Sequence, residues 1–111
     1  MNATRRIALV TGGSRGIGLA IAKQLAQDGF DIWLNYHSNH AAAQAAQKEI
    51  QTQGVQCTLL PFDVADAKAV QESLNPLLAK HTPYALVNNA GIRRDNLLIF
   101  MQDKEWADVI A

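Results

Sequence analysis

The stretch ALVTGGSRGIGLAIAKQLAQDGF, residues 8–30, holds four of the chain's seven glycines between positions 12 and 18. Glycine at that density costs backbone entropy, so the segment must need a bare main chain. Before it runs RIALV, residues 6–10, a short branched apolar run that reads as a buried strand. After it, Ile17, Ala20, Ile21 and Leu25 recur at spacings of three and four, as on one face of a helix. Gly29 is placed to stop that helix. The glycines therefore sit where a strand turns into a helix.

The same alternation continues along the chain. FDIWLNY, residues 30–36, reads as a second strand, and residues 41–50, rich in alanine and glutamine, as a second helix. VQCTLLPF, residues 55–62, is a third strand. Asp66 can cap a third helix whose apolar stripe is Val70, Leu74 and Leu77/Leu78, with Pro76 predicting a kink or an early end. YALVNNAG, residues 84–91, is a fourth strand running into a polar turn, and Asp103 is expected to cap a last helix from about Lys104 to the end of the chain. Strands alternating with helices imply an α/β fold: a doubly wound parallel sheet of the Rossmann type, with helices on both faces. The almost unbroken apolar strands agree, since parallel strands are buried on both sides.

Composition narrows the function classes. The 111 residues suffice for one core, and 49% of them are hydrophobic. Ten basic residues balance ten acidic ones, which gives no electrostatic reason to expect nucleic acid or an anionic membrane as partner. No apolar run approaches the roughly 20 residues of a membrane span. The single cysteine, Cys57, lies in an apolar run and reads as a buried small hydrophobe; a reduced, cytoplasmic setting is expected.

In an open parallel sheet, ligands gather at the carboxyl ends of the strands. A helix N-terminus there presents unpaired N–H groups and about half a positive charge, which suits phosphate. Gly12 would permit the sharp exit from the strand, Gly16 the approach of a pyrophosphate, and Gly18 tight packing of the helix on the first strand. The spacing is T-G-x-x-x-G-x-G; it is neither G-x-G-x-x-G nor a P-loop. No acid stands at the end of the second strand, where residues 34–39 read LNYHSN. Nothing there repels a 2′-phosphate, Arg15 can supply a charged contact to one, and His37 and Ser38 can add hydrogen bonds. NADP(H) is thereby favoured over NAD(H). Asp63 and Val64 lie where an adenine could rest, and the paired asparagines Asn88 and Asn89 must find partners for several polar groups. The plainer readings are that Arg15 and His37 are solvated loop residues, and that Asp63 and residues 88–91 only make turns.

Residues 11–18 (TGGSRGIG), Asp63-Val64 and residues 88–91 (NNAG), in this order and spacing, resemble the short-chain dehydrogenase/reductase family. The following segment, GIRRDNLLIFMQDKEWADVI, is similar to that of the 3-oxoacyl-(acyl-carrier-protein) reductases within it, although Arg93 stands where those commonly have threonine and His37 where some have arginine. The resemblance implies a homotetramer that transfers hydride from NADPH to the 3-keto group of an acyl chain carried by acyl carrier protein or coenzyme A. It assigns Gly12, Ser14, Arg15, Gly16, Ile17 and Gly18 to the pyrophosphate and 2′-phosphate, with His37 beside the latter. It places Asp63 and Val64 at the adenine, Asn89, Ala90 and Gly91 at the ribose, and gives Asn88 a structural part. The family's catalytic serine and Tyr-x-x-x-Lys pair have no counterpart here: Tyr36 and Tyr84 are not followed by lysine four positions on. The 111 residues are thus expected to be a cofactor-binding domain cut before its catalytic half, inactive alone, with the fourth strand left as an exposed edge. An NADP-dependent alcohol or sugar dehydrogenase and a non-catalytic nucleotide-sensing module are the alternatives. A flavodoxin-like phosphate binder is disfavoured by the asparagine pair.

Overall fold

The structure, a computed structural model, describes residues 5–89 and the backbone of a strand at Asp108–Ile110. The elements alternate as expected: β1 (Ile7–Val10), α1 (Gly16–Gln27), β2 (Asp31–Tyr36), α2 (His40–Gln51), β3 (Cys57–Pro61), α3 (Ala67–Leu78), β4 (Ala85–Val87) and β5 (Asp108–Ile110). They form one parallel sheet in the order β3-β2-β1-β4-β5. The order reverses between β2-β1 and β1-β4, which opens a crevice at the carboxyl ends of β1 and β4.

Alternation along the strands divides the core between two faces. Ala8, Val10, Ile32, Leu34 and Val87 join Ala22 and Ala26 of α1 and Ala46 and Ile50 of α2. Leu9, Trp33, Leu60 and Leu86 face the other way, onto Val70 and Leu74 of α3. The sheet is therefore the middle of three layers.

Local chemistry sets the helix ends. Asp66 accepts from the Ala69 N–H (3.1 Å) and Asn39 from the Ala42 N–H (3.0 Å), each satisfying a first-turn donor. Helix α1 ends through Gly29 N–H to the Ala26 carbonyl and Phe30 N–H to the Leu25 carbonyl, both 3.0 Å. Pro76 lies inside α3, two residues before its end, and the helix continues through it. So near the C-terminus, its missing N–H removes one bond from the last turn and does not shorten the helix.

Three expectations need correction. The buried face of α1 is Gly18, Ala22 and Ala26, whereas Ile17 is 73% exposed and Ala20 is exposed. Small residues let the helix axis approach the sheet, and the larger Leu19, Ile21 and Leu25 fill in from the sides. No helix runs to the chain's end: Asp108–Ile110 is a strand, paired in parallel with β4 from Ala85↔Asp108 to Val87↔Ile110. For the same reason β4 is not an edge, being hydrogen-bonded to β1 on one side and β5 on the other. β-Branched Val109 and Ile110 favour the extended form. The unpaired amides and carbonyls along β4 give them a ladder to join. The expected cap at Asp103 and helix start at Lys104 lie outside the described residues.

Candidate functional site

The turn after β1 is built from Thr11 onward. Thr11 continues the ladder by donating its N–H to the Val87 carbonyl (3.0 Å). Its hydroxyl lies 3.4 Å from that same carbonyl and 3.3 Å from Asn88 Oδ1, one proton serving two acceptors. Gly12 then turns the chain with φ of +61°. Its carbonyl accepts from Asn89 Nδ2 at 3.1 Å. Asn88 and Asn89 therefore tie the end of β4 to the glycine turn across the crevice.

Two glycines in the turn are required for different reasons. A Cβ on Gly18 would strike the Gly12 carbonyl oxygen and come within 2.6 Å of Asn89 Nδ2. Gly18 thus lets α1 dock on the turn itself, a closer fit than packing on the first strand. Gly16 has φ of +63°, and a Cβ there would meet nothing within 4 Å. It is held by conformation alone, next to open space. The sequence reading passed over Gly13, whose added Cβ would overlap the buried Leu34 side chain.

Helix α1 opens at this turn with properties that suit an anion. Arg15 is its N-cap in extended conformation, and no side chain caps it. The first turn carries no acid, and its N–H groups lie ahead of the first helical bond, Leu19 N–H to the Arg15 carbonyl (3.3 Å). Donors and dipole are left facing outward. A cleft of about 270 Å³ adjoins them, lined by Gly12, Ser14, Arg15, Tyr36, His37, Ser38 and Asn39. Among the described residues no carboxylate lines it, and the exposed Arg15 guanidinium has no ion-pair partner. This end of the fold has the open space, donors and unpaired cation that a dinucleotide's phosphates need.

The remaining predicted residues divide. His37 Nε2 lies 3.8 Å from Asp63 Oδ2, both side chains well exposed, so β2 and β3 bring this pair together at the cleft's rim. Asp63 Oδ1 also accepts from the Ala65 N–H (2.9 Å), which fixes the turn after β3. Val64 differs: its side chain is buried in the α3-side core, so it offers no side-chain surface to an adenine. Ile17 is exposed beside the turn. Asn89 is engaged with Gly12, and Ala90 and Gly91 lie outside the described residues.

Asn35 carries the heaviest hydrogen-bonding load at the site, and the sequence reading noted only that it is not an acid. The residue is 3% exposed, and its side chain accepts from the Gly12 N–H (3.3 Å) and donates to the Leu60 (3.1 Å) and Phe62 (2.9 Å) carbonyls. Its own carbonyl accepts from the Gly13 N–H at 3.0 Å. An asparagine inside an otherwise apolar strand was the available signal, because a buried carboxamide must find partners. Nearby, the Tyr36 hydroxyl meets His40 Nδ1 at 2.6 Å.

Cys57 is buried away from this cleft, and burial pushes its thiol up to about 12, leaving it no nucleophilic role at neutral pH. A second cavity, about 310 Å³, opens at the opposite end of the sheet among Arg5, Asp31, Trp33 and His81. It lies at the amino ends of the strands, away from the glycine turn. Among the described residues no helix is long and apolar enough to cross a membrane, and no cluster could hold a metal ion.

Comparison with known proteins agrees with this geometry. The family model described as short chain dehydrogenase matches residues 6–111. The 3-oxoacyl-(acyl-carrier-protein) reductase FabG of Staphylococcus aureus is 45% identical over 104 residues, 93% of this chain and 42% of that protein. The acetoacetyl-CoA reductase of Paracoccus denitrificans is 40% identical over 107 residues, 95% of this chain and 42% of that protein. The crystal structure of 3-oxoacyl-(acyl-carrier-protein) reductase from Brucella melitensis in complex with NAD matches with a TM-score of 0.72 at 35% identity, covering 82% of this chain and 35% of that one. The chain thus spans less than half the length of these relatives. With the family model matching nearly the whole chain and these identities, the chain belongs to the short-chain dehydrogenase/reductase family.

Proposed function

We propose that this chain is the cofactor-binding part of an NADPH-dependent reductase acting on 3-oxoacyl thioesters carried by acyl carrier protein or coenzyme A, and producing the 3-hydroxyacyl form. One observation carries the choice of cofactor. The cleft between the glycine turn and the end of β2 holds a guanidinium, an imidazole and three hydroxyl-bearing side chains, Ser14, Tyr36 and Ser38, and among the described residues no carboxylate lines it. An acid there would accept the ribose hydroxyls of the unphosphorylated cofactor and repel a 2′-phosphate. The relatives named above support the substrate class.

The chain's own residues bind and orient. The first-turn N–H groups of α1 and the open space at Gly16 receive the pyrophosphate, flanked by Ser14 and Ile17. Arg15, with His37 beside it, receives the 2′-phosphate. Asp63 and the turn at Val64 border the adenine, and residues 89–91 border the ribose at the crevice. The bound reduced nicotinamide supplies the hydride. By the family resemblance, the proton comes from the tyrosine of a Tyr-x-x-x-Lys pair, which these 111 residues do not contain, so they have no reductase activity alone. The full-length protein is a cytoplasmic homotetramer.

The test is turnover by the full-length protein. Acetoacetyl thioesters of acyl carrier protein and of coenzyme A should both drive NADPH oxidation, one of them preferred. Oxidation of simple alcohols or sugars with NADP, without thioester reduction, would replace the substrate assignment with that of an alcohol or sugar dehydrogenase. Saturable NADPH binding without turnover of either class would make the protein a nucleotide sensor.

A further inference from the structure

We infer that Asn35 is a positioning residue that holds the glycine turn and the end of β3 in one geometry, so that affinity for both forms of the dinucleotide passes through its carboxamide. The inference rests on the cofactor site proposed above.

Three chain segments are joined by this side chain. The glycine turn approaches from β1 through the Gly12 N–H, 3.3 Å from Asn35 Oδ1. The end of β3 approaches from the other side through the Leu60 and Phe62 carbonyls, 3.1 and 2.9 Å from Nδ2. The carboxamide oxygen and both of its N–H donors are used, and the residue is 3% exposed. Removing it would leave a half-buried N–H and two buried carbonyls to find new partners. The consequences point at the cofactor from both sides. Gly12 carries the positive φ that begins the turn toward Gly16 and α1, and Phe62 directly precedes Asp63 at the adenine rim. The adjoining main-chain bonds, Gly13 N–H to the Asn35 carbonyl and Phe62 N–H to the Tyr36 carbonyl, both 3.0 Å, fasten the same two segments to β2. Asn35 does not line the cleft, so it acts on the cofactor through the Gly12 turn and the Phe62–Asp63 corner. Both segments border the pyrophosphate and adenine that the two dinucleotides share, so loss of Asn35 should weaken both cofactors.

Asn35→Asp and Asn35→Ser in the full-length protein test this. Aspartate keeps an acceptor for Gly12 but turns oxygen toward two carbonyls, while serine keeps a small polar group of different reach. In either variant that remains folded, the Kd values for NADPH and NADH should rise together by about tenfold. The cofactor KM should rise with them, while kcat at saturating cofactor stays within about twofold of the parent value. Folded variants whose Kd values stay within twofold of the parent protein, or that lose kcat with KM unchanged, overturn the inference. Hydrogen exchange on the unaltered, cofactor-free protein is an independent check should both variants unfold. The Gly12 and Gly13 amides should be protected as strongly as those of β1, and exchange at exposed-loop rates overturns the inference. Absence of saturable binding of either cofactor by the unaltered protein instead overturns the cofactor site itself, which separates the two failures.

Discussion

The carbonyl of Gly12 accepts from Asn89 Nδ2 at 3.1 Å, and the same oxygen lies where a Cβ on Gly18 would have to go. Turn, helix and β4 meet at one atom. Gly18→Ala should therefore cost about 1–3 kcal/mol of stability through overpacking, read as a lowered denaturant midpoint. Gly16→Ala should cost about 1–2 kcal/mol, through left-handed backbone strain with no collision. The methyl of Gly16→Ala would also occupy the space assigned to a pyrophosphate, so it should weaken the dinucleotide more than its stability loss suggests. Equal stability with full affinity in both variants would remove the turn from the site.

Arg15→Ala addresses the choice between cofactors. With no ion-pair partner among the described residues, the guanidinium can be removed without leaving a buried charge. NADPH affinity should fall by at least ~1.5 kcal/mol, the lower end for a hydrogen bond to a charged group, while NADH affinity holds. Titration calorimetry with both cofactors measures this. Equal losses for the two would place the 2′-phosphate elsewhere.

Cys57 gives a pH prediction with a definite sign. Its thiol stands at about 12 in the folded chain against 9.0 for an unhindered one, because burial penalises the thiolate. The stabilisation is fully present below pH 9 and is lost as pH rises toward 12, because the unfolded chain releases the proton first. Stability curves of the parent and of Cys57→Ala should thus converge over that window, with the parent losing more. At pH 8 the thiol should resist a disulfide reagent until the protein unfolds. Reaction of the native protein at a free-thiol rate would contradict its burial.

Removing the Thr11 hydroxyl tests the other asparagine contact. Thr11→Val keeps the shape of a fully buried side chain but takes the proton from between Val87 O and Asn88 Oδ1. A loss of about 1–3 kcal/mol is expected, since Asn88 Oδ1 would lose its Thr11 donor beside the crevice. An unchanged unfolding midpoint would show that Asn88 finds another donor.

Much of this fold was readable because its signals are local. The apolar runs, the cap at Asp66, the stop at Gly29 and the glycine turn each fall within a few residues. What escaped depends on how the elements pack together. Asn35 owes its role to residues 23 to 27 positions away. Val64 looked available to a ligand until Val70 and Leu74 of α3 enclosed it. Residues 108–110 were read as helix because the capping signal at Asp103 is local, whereas the edge of β4 that they join is set by the sheet. The facing of α1 was misjudged because size, rather than apolarity alone, decides which residues approach a sheet: Gly18, Ala22 and Ala26 go in and Ile17 stays out.

The most direct measurement is a crystal structure of the full-length protein with NADPH. Density for the pyrophosphate should lie against the first-turn N–H groups of α1 beside Gly16, with the 2′-phosphate within hydrogen-bonding reach of Arg15. Cofactor bound anywhere else, with side chains filling the space beside Gly16, would contradict the account.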